Sequence, residues 1–487
     1  MRPNNMYAEE QYISNLFRHS SDVSIERQYL FSNKKKEQML VVYCNGLIEH
    51  NLLIDSILPV IQKKYYHNGL KGVENINCSE RMTWYKNEEN VDKILPEKIF
   101  NGFTAIFIDR TIYFFNTSKP PKRSPEESHT EVSVRGPRDA FVEDLSTNVA
   151  LVRKRLKSNC LVTKSFTLGK RSQTQIRLAY IKDIQNQKVI NEVTNRLNNI
   201  NIDIVSSDNQ LLALLGDSPY SLFPLMHAVS RPDGVVSALI RGRFVIFIDN
   251  VPNVLAAPGN LGLLLRTSED EHTPYYYATF ELFLRLIGLI LSIFLPAFWV
   301  ALSIYNVEQI PFTLLATIAS SRLGLPFNTT AEILLMLGLF ELFREAGIRL
   351  PKAVGQTVAV VGGLIVGNAA IQAGLTSPTM LVISSITAVA TFTLGNQALY
   401  GTVSIIRFFA IFLSSVLGMF GFFVSVFLTL GYLAKLESFG VPYLSPVSPF
   451  VKKDFLKSIV KYPVIKQNER PKILDTIDTD RQGDKKR

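Results

Sequence analysis

The sequence predicts a two-part molecule: an α/β or α+β soluble N-terminal region of two related subdomains, followed by an all-α multi-spanning membrane domain that begins near Ala278. Three observations carry this expectation. No Asp, Glu, Lys or Arg occurs from Ala353 to Ile406, and after Arg407 none occurs from Phe408 to Ala434. Mean hydropathy is +0.14 with only 19% charged residues, too apolar for a soluble chain of 487 residues. In the N-terminal part, Gly102-Phe-Thr-Ala-Ile-Phe-Ile-Asp109 and Gly242-Arg-Phe-Val-Ile-Phe-Ile-Asp249 echo each other, each an apolar β run between a Gly and an Asp.

Taken in order, residues 1–125 form the first subdomain. Their polar start lacks the short apolar run of a secretory signal peptide. The polar, proline-rich stretch Pro120 to Ser128 cannot continue a helix or strand and reads as a linker. Residues 126–270 form the second subdomain. Asp139 to Lys157 reads as a helix with Phe141, Leu145, Val149, Val152 and Leu156 on one face and Arg153, Lys154, Arg155 and Lys157 at its C-terminal end, where cations suit the helix dipole. The basic cluster lacks aromatic interleaving, so no nucleic-acid partner is expected. Ile181 to Leu197 reads as a second amphipathic helix. Asn250 to Leu265 is uncharged but broken by Pro252, Pro258 and Gly259, which places it on a membrane surface or in the soluble core. Cys44, Cys78 and Cys160 lie far apart without metal-ligand spacing, and are expected to be reduced core thiols.

Residues 271–450 form the membrane domain. A bilayer core of about 30 Å takes roughly 20 apolar residues per helix, and four full spans are expected near Ala278–Tyr305, Val354–Gly374, Thr379–Tyr400 and Phe408–Ala434. Two shorter apolar runs, Pro311 to Ser321 and Ile333 to Phe343, read as re-entrant or interfacial helices within 310–345. Residues 451–487 form a basic tail with eleven basic and six acidic residues, and this tail, like the whole chain's net charge of +10, suits a cytoplasmic face. A cytoplasmic N-terminal region and a cytoplasmic tail require an even number of crossings. Four spans leave Arg349 and Lys352 outside, against the bias of basic residues toward the cytoplasm, and a six-span alternative uses both short helices as thin crossings.

The candidate functional residues sit in this half. Gln356, Val360, Gly363, Gly367 and Gly374 align on one helical face, a small-residue stripe that fits either close helix packing or the wall of an ion path. Asn368, Gln372 and Asn396 are polar groups at bilayer depth, and Arg322, Glu332, Glu341, Arg344 and Glu345 are charged ones, with helical spacings that permit ion pairing or a gating role. Arg285 and Arg407 lie near span ends, where snorkelling explains them. No phosphate-binding loop, dinucleotide fingerprint, zinc-protease motif or nucleophile elbow is present, so neither an enzyme nor a cofactor is expected.

An ordered series of motifs carries a resemblance. Its soluble part comprises Arg135-Gly-Pro-Arg138 with Phe141, Glu143, Asn148 and Arg153, then Arg231-Pro-Asp233 and Ser268-Glu-Asp270. The membrane part adds Leu295-Pro-Ala297, Ser321-Arg322 with Gly324 and Pro326-Phe327, Glu341 with Arg344-Glu-Ala-Gly347, Leu350-Pro351, Val354-Gly-Gln356, Gln372-Ala-Gly374 with Ser377-Pro378, and Phe439-Gly-Val-Pro-Tyr-Leu-Ser-Pro446. Over about residues 130–450 the chain resembles the A subunit of the GerA-type spore germination receptors, a sporulation paralogue of the stage V type being the neighbouring possibility. The resemblance implies a subunit of a nutrient-responsive complex in the spore inner membrane. It also implies a homo-oligomer around an ion-conducting path, acting beside a transporter-like B subunit and a lipoprotein C subunit. A secondary transporter and a passive membrane scaffold are the rival readings. The only internal echo lies in the soluble part, which disfavours the paired membrane halves of a transporter.

Overall fold

The computed structural model describes residues 4–32, 36–74, 78–83, 89–109, 111–118, 135–349 and 365–481. Its N-terminal half holds two antiparallel five-stranded sheets. The first comprises β1 (Val23–Phe31), β2 (Lys36–Cys44), β3 (Glu80–Thr83), β4 (Phe103–Ile108) and β5 (Thr111–Asn116), in the order β1-β2-β4-β5-β3. The second comprises β6 (Leu161–Leu168), β7 (Thr174–Ile181), β8 (His227–Val229), β9 (Phe244–Ile248) and β10 (Val254–Ala257), in the order β6-β7-β9-β10-β8. The two orders are the same, and the echoing segments are β4 and β9, the central strand of each sheet. Each is entered through a left-handed glycine, Gly102 at φ 86° and Gly242 at φ 91°, a conformation in which a side chain is strained. At Gly102 a Cβ would also come within 2.8 Å of the Leu47 carbonyl oxygen.

The first sheet is accompanied by α1 (Asn4–Leu16), α2 (Leu58–Asn68), α3 (Leu70–Glu74) and α4 (Glu89–Phe100), the second by α5 (Leu145–Arg155), α6 (Gln187–Asn199), α7 (Asp208–Leu215) and α8 (Pro232–Ile240). Two helices start later than expected, and side-chain caps explain both. The Asp144 carboxylate accepts from the Thr147 amide at 2.7 Å and opens α5, so residues 139–144 precede the helix. Asn186 accepts from the Lys188 amide at 2.9 Å and opens α6, so Ile181 ends β7 instead of starting a helix. Arg153 is not a solvated helix-end cation: it is fully buried and paired with Asp22 at 2.9 Å, joining the two subdomains. Asn250 to Leu265 lies in the soluble core as β10 and the short α9 (Leu261–Leu264). All three cysteines are free, but Cys160 is exposed and only Cys44 is a core thiol. The Pro120 to Ser128 linker falls outside the described residues.

The apolar half comprises α10 (Tyr275–Tyr305), α11 (Phe312–Arg322), α12 (Thr329–Arg349), α13 (residues 365–372), α14 (Pro378–Phe392) and α15 (Ala398–Lys435). Among the described residues, α10 and α15 are long and apolar enough to cross a membrane. The 38 residues of α15 would reach about 57 Å if straight. Instead the chain folds back at Gly418, whose φ 61° and ψ −138° are not helical. Gly421 then lies so close to the Leu413 carbonyl that no Cβ fits between them. Leu399 and Val403 from one arm and Leu433 and Leu436 from the other join one core cluster with Phe223 and Leu225 of the second subdomain. The tip of the hairpin rests on Tyr305, whose hydroxyl donates to the Ser415 carbonyl at 2.7 Å. Where the sequence reads one helix over Phe408–Ala434, the structure therefore has a hairpin of two arms.

The other apolar helices pack between these ends. Ala297, Val300, Ile333, Met336, Leu337, Met380, Ala410 and Ile411 form a second cluster, farther from the soluble half. The short run Ile333 to Phe343 is the middle of the 21-residue α12, not an isolated fragment. The run Thr379 to Tyr400 divides, because α14 ends at Phe392 and Tyr400 belongs to α15. Beyond α15 the segment Phe439–Pro446 returns to the second subdomain. Phe439 stacks edge-on against Phe244, Ser438 donates to the Leu225 carbonyl at 2.7 Å, and Asn260 donates to the Ser445 carbonyl at 3.0 Å. The tail that follows, with α16 (Lys452–Ile459), also docks there, Ile477 donating its amide to the Ile184 carbonyl at 2.9 Å.

Candidate functional site

Charges meet inside the apolar helices. On α12, Glu341 and Arg344 lie one turn apart, and their side chains pair at 2.5 Å. Across from them Arg407 of α15 approaches the other oxygen of Glu341 at 3.0 Å. Ser404, one turn before Arg407, donates to that same carboxylate oxygen and accepts from Arg407 Nη2 at 2.8 Å. The Arg344 guanidinium also sits over the Tyr400 ring. Arg407 is 3% exposed, and its Nε has no acceptor among the described residues. One carboxylate thus faces two guanidinium groups, leaving a net positive cluster between helices where charge is costly to bury. Glu345, on the next turn, is exposed.

A second carboxylate lies deeper. Glu332, near the start of α12, is fully buried. One of its oxygens accepts from the Thr376 hydroxyl at 3.1 Å and from the Ser377 amide, which fixes α12 to the turn before α14. Its Oε2 has no hydrogen-bond partner among the described residues.

Of the small-residue stripe, Gln356, Val360 and Gly363 lie outside the described residues. A Cβ on Gly367 would come 2.9 Å from Leu381 of α14, so this glycine sits at a helix contact. Gly374, at φ 65° with open space beside it, ends α13. Asn368 and Gln372 are exposed in the chain by itself, and Asn396 accepts from the Ala398 amide at 2.9 Å beside the start of α15. Arg322 is half-buried at the end of α11. The structure brings Glu341 and Arg344 together and leaves Arg322 and Glu332 apart from them.

Snorkelling accounts for neither Arg285 nor Arg407. Arg285 pairs with Asp270 at 2.8 Å and thereby holds α10 to the Ser268–Glu271 turn. Sequence reasoning names Arg407 only as a snorkelling residue and Ser377 only as part of a motif, and misses Ser404 and Thr376. A signal for Arg407 existed: it is the one charge between Ala353 and Ala434, and a lone ionisable group in so long an apolar stretch needs a partner inside the protein.

Residues 11–473 match the family of Bacillus/Clostridium GerA spore germination proteins. The chain belongs to the GerA family. Among its relatives, spore germination protein XA of Bacillus anthracis is 40% identical over 469 residues, covering 96% of this chain and 95% of that protein. Spore germination protein KA of Bacillus subtilis is 34% identical, covering 95% and 86% respectively. The N-terminal domain of the A subunit of the Bacillus megaterium spore germinant receptor GerK3 aligns with 51% of this chain and 92% of its own, at 26% identity and a TM-score of 0.37. Within the GerA framework the quoted motifs acquire places in the fold. Arg231-Pro-Asp233 opens α8 with a buried 2.6 Å ion pair whose Asp also meets His272 at 2.8 Å, and Phe439–Pro446 is the segment that returns to the second subdomain.

Proposed function

We propose that this GerA-family chain is the A-type subunit of a membrane-embedded germinant receptor, in which copies of the chain assemble and gate an ion-conducting path. A transporter-like B subunit and a lipoprotein C subunit act beside it in the spore inner membrane. The observation that carries the ion-path reading is the Glu341–Arg344–Arg407–Ser404 cluster. Four polar side chains from two helices converge in an apolar environment, with more positive than negative charge and no catalytic geometry around them. Such an arrangement is poorly suited to stability alone, since apolar side chains of equal volume hold helices together at least as well. It suits a group that changes partners when the helices move.

The test separates structure from function by replacing both ends of the pair at once. Glu341→Gln with Arg407→Gln removes one charge of each sign, keeps a hydrogen-bonding group at both positions, and leaves Arg344 over the Tyr400 ring. On the gating reading, spores carrying the double substitution keep normal subunit abundance by immunoblot, and cation release after nutrient addition slows at least about tenfold. Normal release kinetics at normal abundance would remove this cluster from the path. Glu341→Gln alone, which leaves both Arg344 and Arg407 without a carboxylate, is expected to lower abundance, whereas Arg407→Gln alone keeps the Glu341–Arg344 pair and is expected to leave abundance near normal.

A further inference from the structure

Where the tail packs on the second subdomain it encloses a cavity of about 180 Å³. Its walls come from β8, α8 and the turn after it with Arg241 and Arg243, the 258–272 segment, the first turns of α10 through Ala278 and Leu282, and the tail from Asp454 to Arg481. Eight basic and four acidic residues line it. Three of the acids are already engaged, Asp270 by Arg285, Glu271 by Arg241 and Glu469 by Lys457. The fourth, Asp454, is 4% exposed and accepts from the Ile473 amide.

The cations are less well matched. Arg243 is 4% exposed, yet it donates only to the Pro258 carbonyl at 3.0 Å and the Asn260 carboxamide at 3.2 Å, with no acceptor for Nη1 among the described residues. Arg266 uses Nη2 on the Lys457 and Ser458 carbonyls, at 2.5 and 3.3 Å, and neither Nε nor Nη1 has an acceptor among the described residues. Lys461 donates to the Asp270 and Thr273 carbonyls, and Arg481 to the Gln467 carboxamide. None of these four has a carboxylate within ion-pair distance among the described residues. Burying guanidinium groups without an anion is unfavourable, and burial with neighbouring Arg side chains lowers Arg243 to about 9 and Arg266 to about 10. His227, on the same wall, stays neutral.

We infer that this cavity is a binding site for a phosphate-bearing anion, held by Arg243 and Arg266 with Lys461 beside them. Planar guanidinium forks match phosphate oxygens in geometry and charge. The anion bridges three separate elements, so its binding fixes the tail and the start of α10 against the second subdomain. Two sources share the chemistry: a soluble phosphate, and the headgroup of an anionic phospholipid entering beside Ala278 and Leu282. The inference stands independently of the ion-path reading.

The experiment uses the full chain in nanodiscs of phosphatidylcholine. One arm titrates inorganic phosphate against a chloride control of equal ionic strength and reads the unfolding temperature. The other adds phosphatidylglycerol to the nanodiscs and reads retained lipid by native mass spectrometry. Saturable stabilisation by phosphate alone identifies a soluble anion, retained phosphatidylglycerol alone identifies a lipid, and both together identify the shared headgroup chemistry. In whichever arm responds, Arg266→Gln weakens binding at least about tenfold, Arg266→Lys less so, and Asp454→Asn strengthens it by removing a like charge. Asp454→Asn keeps the acceptor for Ile473, so it reports even where Arg266→Gln loosens the tail. No saturation in either arm, or equal affinity in wild type, Arg266→Gln and Asp454→Asn, overturns the assignment.

Discussion

His227 shows how far a single residue's environment can depart from what its sequence neighbours suggest. It lies on the short edge strand β8, 9% exposed, and burial followed by the nearby Arg243 charge lowers its pKa from 6.5 to about 4. A group whose folded pKa is depressed contributes stability that is fully present above its unfolded pKa and is lost as pH falls through the folded value. The window is therefore pH 6.5 down to about 4, and the loss is on the order of 3 kcal/mol. His227→Gln is expected to flatten the fall in unfolding temperature over that window; an unchanged slope would assign it to other groups. Arg153 teaches a related lesson. Its sequence position at a basic helix end reads as solvated, yet its guanidinium makes two 2.9 Å bonds to Asp22, 131 residues earlier, and adds the Ser158 and Leu161 carbonyls. Partners that distant leave no local signal. Removing one side, as in Asp22→Asn, strands a buried cation and is expected to cost about 3–5 kcal/mol, read as a lower midpoint in thermal unfolding of the full chain.

Elements were legible where glycine or capping geometry governs them, and illegible where tertiary packing does. The Gly102 and Gly242 turns could be read because a left-handed entry into a buried strand demands glycine at that point in both subdomains. The division of α15 could not be, since Gly418 is one glycine among several in an apolar run and only the contact with Tyr305 shows that the chain reverses there. At φ 61° and ψ −138°, with a Cβ that would come 2.7 Å from the Tyr305 ring, Gly418→Ala combines backbone strain and steric clash. It is expected to lower subunit abundance severalfold, whereas Gly431→Ala, where nothing lies within 4 Å of the added methyl, is expected to leave abundance unchanged. Equal abundance of the two variants would mean the hairpin tolerates a different turn. Gly367→Leu belongs with the first kind, because it drives a branched side chain into Leu381.

For the whole molecule, the number of crossings follows from which end of each apolar helix meets the soluble half, and we propose six. The chain leaves the second subdomain through α10, whose far end is Tyr305 beside the hairpin tip. It returns along α12, whose start is tied through Glu332 to Ser377 and whose later turns carry Arg344 to Tyr400 and Ser404, near the Thr402 contact with the Leu222 carbonyl of the second subdomain. Ser377 lies at that far end again, and from it α14 leads back to Leu394 in the cluster with Phe223. The two arms of α15 supply the last pair. Counting apolar runs finds four of these passages, because two adjacent crossings joined at Gly418 read as one and α12 is interrupted by charges that pair within the protein. Six crossings place the C-terminal end of α12, with Arg349, on the same side as the tail, in keeping with the bias of basic residues toward the cytoplasm. Single cysteines at Leu323 and Lys472, in a chain whose Cys44, Cys78 and Cys160 are replaced by Ser, give the decisive comparison in intact cells. An impermeant maleimide is expected to label Leu323→Cys and to miss Lys472→Cys until the membrane is opened. A third cysteine replacing Lys352 separates the two counts, since it is shielded when six passages are made and labelled from outside when only four are.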